Sequence, residues 1–269
     1  MRKIVLGLVV VGLFLMPMVA QAQTTDPVSE EISQRQNKKL SIVMMPQNPS
    51  DIKSHAQAVS LLQDNNIHLT HVSKPWRKGP SFAGVFLKEA RKKGIEVTFN
   101  YEIVYSSVRG EMPIRFRKWD DPGLIAKYSK FVINDLKKYK GMVNHIIIGN
   151  EVDIYFASNP RELPAFKTFY KKVYYKVKAA HPDIDIGITF AYHHMKKTNN
   201  FLAYNELSPL ADYDVFTLYV YSPGFLFNKE PKKIYDYLKE IEGLTDPRPF
   251  ALQEVGWNSY SGIEGSEEG

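Results

Sequence analysis

Strand-like and helix-like patterns alternate along nearly the whole chain, and few architectures accommodate that alternation. Residues 40–45 read as a strand and 50–65 as a helix; 67–73 as a strand and 81–93 as a helix; 95–104 as a strand and 121–139 as a helix. The pattern repeats with strands at 144–151, 184–192, 213–221 and 249–254, and helices at 164–180, 199–207 and 231–241. Strands that alternate with helices run parallel. Two sheets satisfy this, a closed barrel and an open doubly wound sheet. No Gly-rich turn follows the first strand, which removes support from a dinucleotide-binding open sheet. The expected fold class is therefore α/β, a TIM (β/α)8 barrel.

The alternation stops after seven strands. Ser266, followed by Glu267 and Glu268, reads as the cap of a helix just beginning. An open barrel would leave unpaired backbone on its first and seventh strands. Strand eight and its preceding helix are accordingly expected to be missing from a C-terminally truncated chain. The alternative is that the leader or another chain fills the gap.

The N-terminus carries Arg2 and Lys3, then an apolar run, then Ala20-Gln21-Ala22. A basic start, an apolar segment and a small-x-small site read as a secretory signal over residues 1–22. An uncleaved anchor is the competing reading, because the apolar run is near the lower limit for a spanning helix. Residues 23–39, rich in Gln, Ser, Thr and Glu, read as a flexible leader. Residues 40–269 form the barrel domain. The expected location is secreted or periplasmic.

The chain has no cysteine, which excludes disulfides, thiolate metal sites and a Cys nucleophile. The formal net charge of +6 includes Arg2 and Lys3. The remaining basic clusters, such as Arg91-Lys92-Lys93, fall on helical patterns and read as solvated faces. Nucleic acid is not an expected partner.

Two of the strands end in a glutamate. One closes His145-Ile146-Ile147-Ile148-Gly149-Asn150-Glu151, and the other closes Phe250-Ala251-Leu252-Gln253-Glu254. Barrel enzymes carry their chemistry at the C-terminal ends of the strands, and paired carboxylates across one cleft are the equipment for glycosidic bonds. Alternation puts Glu151 on one face with Gly149 and Ile147, so that Gly149 leaves space beneath the carboxylate and Asn150 turns toward a neighbouring loop. The same rule groups Glu254 with Leu252 and Phe250. Tyr219 and Tyr221 share a face near the end of the sixth strand and are placed to orient a neighbouring carboxylate. Trp257 follows the last strand, and Trp76, Tyr101 and Tyr192 close or follow earlier ones. All four are candidate sugar-binding surfaces, with core packing as the competing role. Trp119 in the loop after the third strand and Glu102 at that strand's end are lesser candidates. His193 and His194 are adjacent, and no third ligand stands at useful spacing, so neither a metal nor a cofactor is expected.

With these residues the chain resembles clan A, a superfamily of retaining glycoside hydrolases. Its members are (β/α)8 barrels with an Asn-Glu pair ending strand four and a second Glu ending strand seven. The resemblance implies Glu151 as general acid/base, Glu254 as nucleophile and Asn150 on the sugar 2-hydroxyl. The Glu254-Val255-Gly256-Trp257 segment is similar to the nucleophile region of several β-glucanase and β-galactanase families. Two positions depart from the pattern. Ser73-Lys74-Pro75-Trp76-Arg77 stands where an Arg often ends strand two, and Tyr219 stands where many members have a His. The implied activity is retaining hydrolysis of β-glycosidic bonds in a poly- or oligosaccharide by a monomer. The rival reading is a carbohydrate-binding barrel without catalysis. Burial and a neighbouring anion are expected to raise the pKa of Glu151 relative to Glu254.

Overall fold

The computed structural model describes residues 10–11, 41–43, 52–65, 69–74, 76, 83–110, 116, 118–219 and 232–256. All seven expected strands occur within them. They are β2 (Ser41–Val43), β3 (Leu69–Ser73), β4 (Glu96–Tyr105), β6 (His145–Asn150), β7 (Asp185–Ala191), β8 (Tyr213–Tyr219) and β9 (Phe250–Gly256). Pairing is parallel at every step from β2 to β9. Two short strands join antiparallel: β1 (Val10–Val11) against β2, and β5 (Val108–Arg109), which folds back on β4. The ends of the sheet approach each other, with β1 and β2 both close to β9. The result is a partial α/β barrel.

The helices are α1 (Ile52–Asp64), α2 (Ala83–Lys92), α3 (Pro122–Lys138), α4 (Val152–Ser158), α5 (Leu163–Ala180), α6 (Tyr192–Thr198), α7 (Leu202–Leu207) and α8 (Lys232–Thr245). Their starts are written in the sequence where caps are strong. Asp121 accepts from the backbone N–H of Gly123 and Leu124 at 2.7 and 3.1 Å, and Pro122 follows it as the first helical residue, a position where its missing N–H costs nothing. The fifth expected strand is two residues shorter than predicted, one at each end, and at its C-terminal end Tyr192 already opens α6. The helix α4, directly after Glu151, and the β4–β5 hairpin were not predicted.

Two apolar layers separate the faces of the sheet. Phe99, Tyr101, Ile103, Ile146, Ile148, Ile188, Phe190, Phe216 and Leu252 pack outward against Leu124, Tyr128, Val132, Phe166, Phe169 and Val173 of the helices. Ile147, Tyr213 and Val215, with Ala251 beside them, form a small separate cluster on the inner face. That inner cluster is the plug on which the polar layers above it rest.

Candidate active site

Directly above the inner cluster lies a chain of buried amides. Asn100 Nδ2 donates to Asn150 Oδ1 at 3.1 Å, Gln253 Nε2 donates to the same oxygen at 2.7 Å, and Thr189 Oγ1 donates to Gln253 Oε1 at 2.7 Å. All four residues are buried. They come from β4, β6, β7 and β9, so one network ties four strands at the level where the glutamates begin.

Glu151 and Glu254 stand on this floor. Glu151 Oε1 accepts from Thr217 Oγ1 at 2.6 Å, and Oε2 accepts from the hydroxyl of Ser106. Thr217 is also the ladder partner of Glu254, so a single residue of β8 touches one carboxylate and sits level with the other. The hydroxyl of Tyr219 donates to Glu254 Oε2. The two glutamates are close enough for the charge of Glu151 to act on Glu254. Burial and a neighbouring anion were expected to act on the other glutamate; here they act on Glu254, whose carboxyl is raised above its ordinary range by burial, with the Tyr219 hydrogen bond opposing that rise and the Glu151 charge adding to it. The phenol of Tyr219 is also raised, by burial first and then by the anion of Glu254.

The backbone at both glutamates departs from regular strand. Gly149 has φ +91° and Glu151 has φ +49°. A Cβ on Gly149 would lie 2.7 Å from Val152 Cγ1 and 3.8 Å from Phe166 Cζ, which places this glycine toward the helices. Asn150 then turns inward onto the floor. Alternation had predicted the reverse, with Gly149 beneath the carboxylate and Asn150 turned to a loop. On β9 the register slips between Phe216–Leu252 and Thr217–Glu254, leaving Gln253 unpaired in a bulge. Phe250 and Leu252 face the helices, so Glu254 does not share their face. The bulge lets adjacent Gln253 and Glu254 both point inward, a common use of bulges beside functional sites.

Further groups close around the pair. The β4–β5 hairpin brings Ser106 to Glu151, and Arg109 anchors that hairpin. Arg109 Nε donates to the Tyr155 hydroxyl at 2.7 Å, its guanidinium pairs with Glu162, and it lies 4.8 Å over the Trp119 ring. His193 packs edge-on to Tyr219 with ring centroids 5.0 Å apart. Its imidazole is lowered by burial, with the charge of Glu151 opposing. His194 turns elsewhere, its Nδ1 lying 2.8 Å from Asp153 Oδ2. Asp153 Oδ1 accepts from the Ala191 backbone N–H at 2.7 Å. Asp153, two residues after Glu151, thus fastens α4 to the end of β7. Glu102 lies on the inner face above Asn100. Its carboxyl is raised by burial, a hydrogen bond from Ser73 opposes, and Glu254 adds to the rise.

Three of the aromatic candidates belong to the helix layer. Tyr101 is fully buried, and its hydroxyl donates to Asp135 of α3 at 3.1 Å. It faces outward because Phe99, Tyr101 and Ile103 share the apolar face of β4. Trp76 meets Tyr128 and Phe131 at 5.2 and 6.3 Å between centroids. Tyr192 packs on Phe216 and Tyr237, and its hydroxyl donates to Glu240 of α8. None of the three lines the space between the glutamates. Trp119 is likewise buried, against Phe166 at 5.0 Å. Tyr221 and Trp257 lie outside the described residues. Sequence reasoning missed Thr217, Ser106, Gln253, Asp153 and the role of His193. Only Thr217 left a signal, two residues before Tyr219 on a strand of period two.

No protein-family model matches the chain, and no curated protein matches it by sequence. Solved structures do. Bacteroides uniformis β-glucuronidase 2, covalently bound to cyclophellitol-6-carboxylate aziridine, aligns with 78% of this chain and 23% of its own at TM-score 0.57 and 12% identity. A family 39 glycoside hydrolase from Bacteroides cellulosilyticus WH2 aligns with 83% of this chain and 50% of its own at TM-score 0.56 and 16% identity. An endo-laminarinase from Formosa Hel1_33_131 aligns with 84% of this chain and 68% of its own at TM-score 0.56 and 14% identity. The chain therefore spans a half or less of the length of the first two. The structural neighbours are glycoside hydrolases. At this level of identity the likeness is one of fold, and the chain has the parallel α/β partial barrel found in glycoside hydrolases.

Proposed function

We propose that the chain is an exported β-glycoside hydrolase that works with retention, with Glu254 as nucleophile and Glu151 as general acid/base. One observation carries the reading. Thr217 hydrogen-bonds Glu151 while standing level with Glu254, so two carboxylates from different strands face one space above a rigid amide floor. Glycosidic cleavage with retention requires two carboxylates about 5–5.5 Å apart.

The chemistry follows from the partners of each group. The Glu254 carboxylate attacks the anomeric carbon as Glu151 gives its proton to the departing oxygen. Water then loses a proton to Glu151 and displaces Glu254 from the sugar. The Tyr219 O–H fixes the attacking oxygen of Glu254 and offsets its charge. Ser106 and Thr217 can donate to Glu151 or accept from it, since a hydroxyl does both. They therefore suit a group that must change protonation twice per turnover. The floor fixes the Asn150 amide by engaging Oδ1 twice, leaving Nδ2 as the end that reaches the sugar 2-hydroxyl. The neighbours include a glucuronidase, a mannosidase and a laminarinase, so their sugars do not agree on one substrate. We take the substrate to be a β-linked poly- or oligosaccharide, the acting form to be a monomer, and residues 1–22 to be a signal whose cleavage removes the short strand β1 (Val10–Val11) from the edge of β2.

The test is turnover of a panel of aryl β-glycosides and β-glucans by the full chain and by Glu254→Ala. Proton NMR of the first-formed anomer reads retention, and azide reads rescue of the variant. Turnover that disappears in the variant and returns as a glycosyl azide supports the reading. Unchanged turnover in the variant, or an inverted first anomer, overturns it. Saturable glycan binding without turnover in the wild type would move the assignment to a binding barrel.

A further inference from the structure

Glu102 is a third carboxylate on the inner face that neither step above uses. Phe99, Tyr101 and Ile103 of β4 pack outward, so the alternate residues Thr98, Asn100 and Glu102 point inward. Asn100 belongs to the amide floor, and Glu102 stands one step above it, at the height where Glu151 and Glu254 follow Asn150 and Gln253. Its charge bears on Tyr105, which also senses Glu254 and Glu151. The four groups therefore share one space.

The wall beneath Glu102 also wants donors. Asn100 is 1% exposed, and its Oδ1 is a buried acceptor without a partner, an arrangement that costs free energy until a donor satisfies it. Among the described residues, the cation that follows β3 next to this wall is directed elsewhere. Lys74 follows Ser73 but pairs with Asp135 at 2.8 Å and lies 4.9 Å over the Phe99 ring, on the helix side. A carboxylate and an unsatisfied amide oxygen together accept hydrogen bonds and offer none. Hydroxyl or ammonium groups complement such a wall; a carboxylate meets like charge in a partly desolvated site.

We propose that Glu102 and Asn100 form an acceptor-only wall of the sugar subsite, which selects a neutral or amino sugar and rejects a uronic acid. The inference rests on the glycosidase reading for the place of the sugar, and it deepens that reading by naming the substrate class.

Binding rather than turnover tests it, so that failure of catalysis and failure of the wall are separable. Two iminosugars are titrated into the full chain by calorimetry at pH 7, one carrying a hydroxymethyl group and the other a carboxylate at the same carbon. The wild type is expected to bind the hydroxymethyl probe at least tenfold more tightly. Glu102→Gln removes the charge at nearly constant shape and adds a donor, and it is expected to shrink that preference at least tenfold. Glu102→Asp keeps the charge and is expected to keep the preference. Equal preference in wild type and Glu102→Gln overturns the proposal. So does a wild type that favours the carboxylate probe or binds neither. Should Glu102→Gln fail to fold, the wild-type preference and Glu102→Asp still decide. Probe selectivity in a chain without turnover would keep the wall and sink the hydrolase reading.

Discussion

Thr217 faces Glu254 across the β8–β9 ladder only one step after Phe216 faces Leu252. Three residues of β9 thus occupy the length of two on β8, and Gln253 is the extra one. The bulge does two things at once. It sends the Gln253 amide into the floor and aims the Glu254 carboxylate at the same interior. Deleting Gln253 restores alternation with Glu254 directly after Leu252, so Glu254 keeps its place opposite Thr217 and its inward face, and only the amide is lost from the floor. Expected outcomes are a folded but weakened barrel, which has lost the Gln253 bonds to Thr189 and Asn150, and turnover that is reduced but retained. Gln253→Leu keeps the bulge and removes the amide. It leaves the Thr189 hydroxyl without its acceptor and Asn150 Oδ1 with one donor, at a cost of about 1–3 kcal/mol by urea unfolding. A loss beyond about a thousandfold in the deletion variant, the scale associated with losing one nucleophile, would contradict this register for Glu254.

Glu254 is held at the expense of stability. Burial raises its carboxyl, so the folded chain binds that proton more tightly than the unfolded chain does. Stability from this group therefore falls as pH rises from its ordinary value of 4.5 through the raised folded value, and the whole penalty stands above that window. Glu254→Gln cannot ionise and keeps an acceptor for Tyr219. Its melting temperature is expected to exceed that of wild type at pH 8, by about 2–4 °C for each kcal/mol relieved. The gain should vanish near pH 4, while turnover is lost at every pH. A melting difference that stays constant from pH 4 to pH 8 contradicts the charge argument.

The sequence made the strands legible because parallel strands are covered on both faces and read as apolar runs. It made the glutamates legible because each ends such a run. It did not make the facing of their neighbours legible. Period two presumes an unbroken ladder, and the ladder breaks beside the two glutamates, at Gly149 with φ +91° and at Gln253. The aromatic candidates went astray differently. On β4 the alternate set Thr98, Asn100 and Glu102 is polar, whereas Phe99, Tyr101 and Ile103 are apolar; that contrast marks the polar set as inward. Tyr192 and Trp76 sit where strands meet helices, and an aromatic there serves the outer layer as readily as the cleft. Contacts such as Ser106 to Glu151 and Asp153 to His194 join segments distant in sequence, and no local pattern encodes them.

Asp153 is the fastening of the turn that carries Glu151. Its two oxygens hold the Ala191 N–H and the His194 ring, and it is 3% exposed. Asp153→Ala strips both partners and is expected to cost about 3–5 kcal/mol, the range for breaking a buried pair on one side. Asp153→Asn retains an acceptor for Ala191 and should cost less. Because α4 begins at the residue after Glu151, loosening it is expected to lower kcat more than it raises KM. Urea unfolding and steady-state kinetics on both variants check this. A rise in KM with kcat unchanged would place Asp153 in substrate binding instead.

His71 gives the barrel an acid-sensitive point away from the glutamates. It lies on β3 opposite Thr98 of β4, is 7% exposed, and burial lowers its imidazole from 6.5 to about 4. The unfolded chain takes up this proton first. The stability contributed by the neutral ring is therefore complete above pH 6.5 and is lost as pH falls toward 4. The span corresponds to a loss of about 3 kcal/mol. Chemical unfolding at a series of pH values should show that slope in wild type. His71→Met keeps a side chain of similar size that does not titrate, and it is expected to flatten the profile between pH 6.5 and 4. An identical slope in the variant would assign the acid sensitivity to other groups.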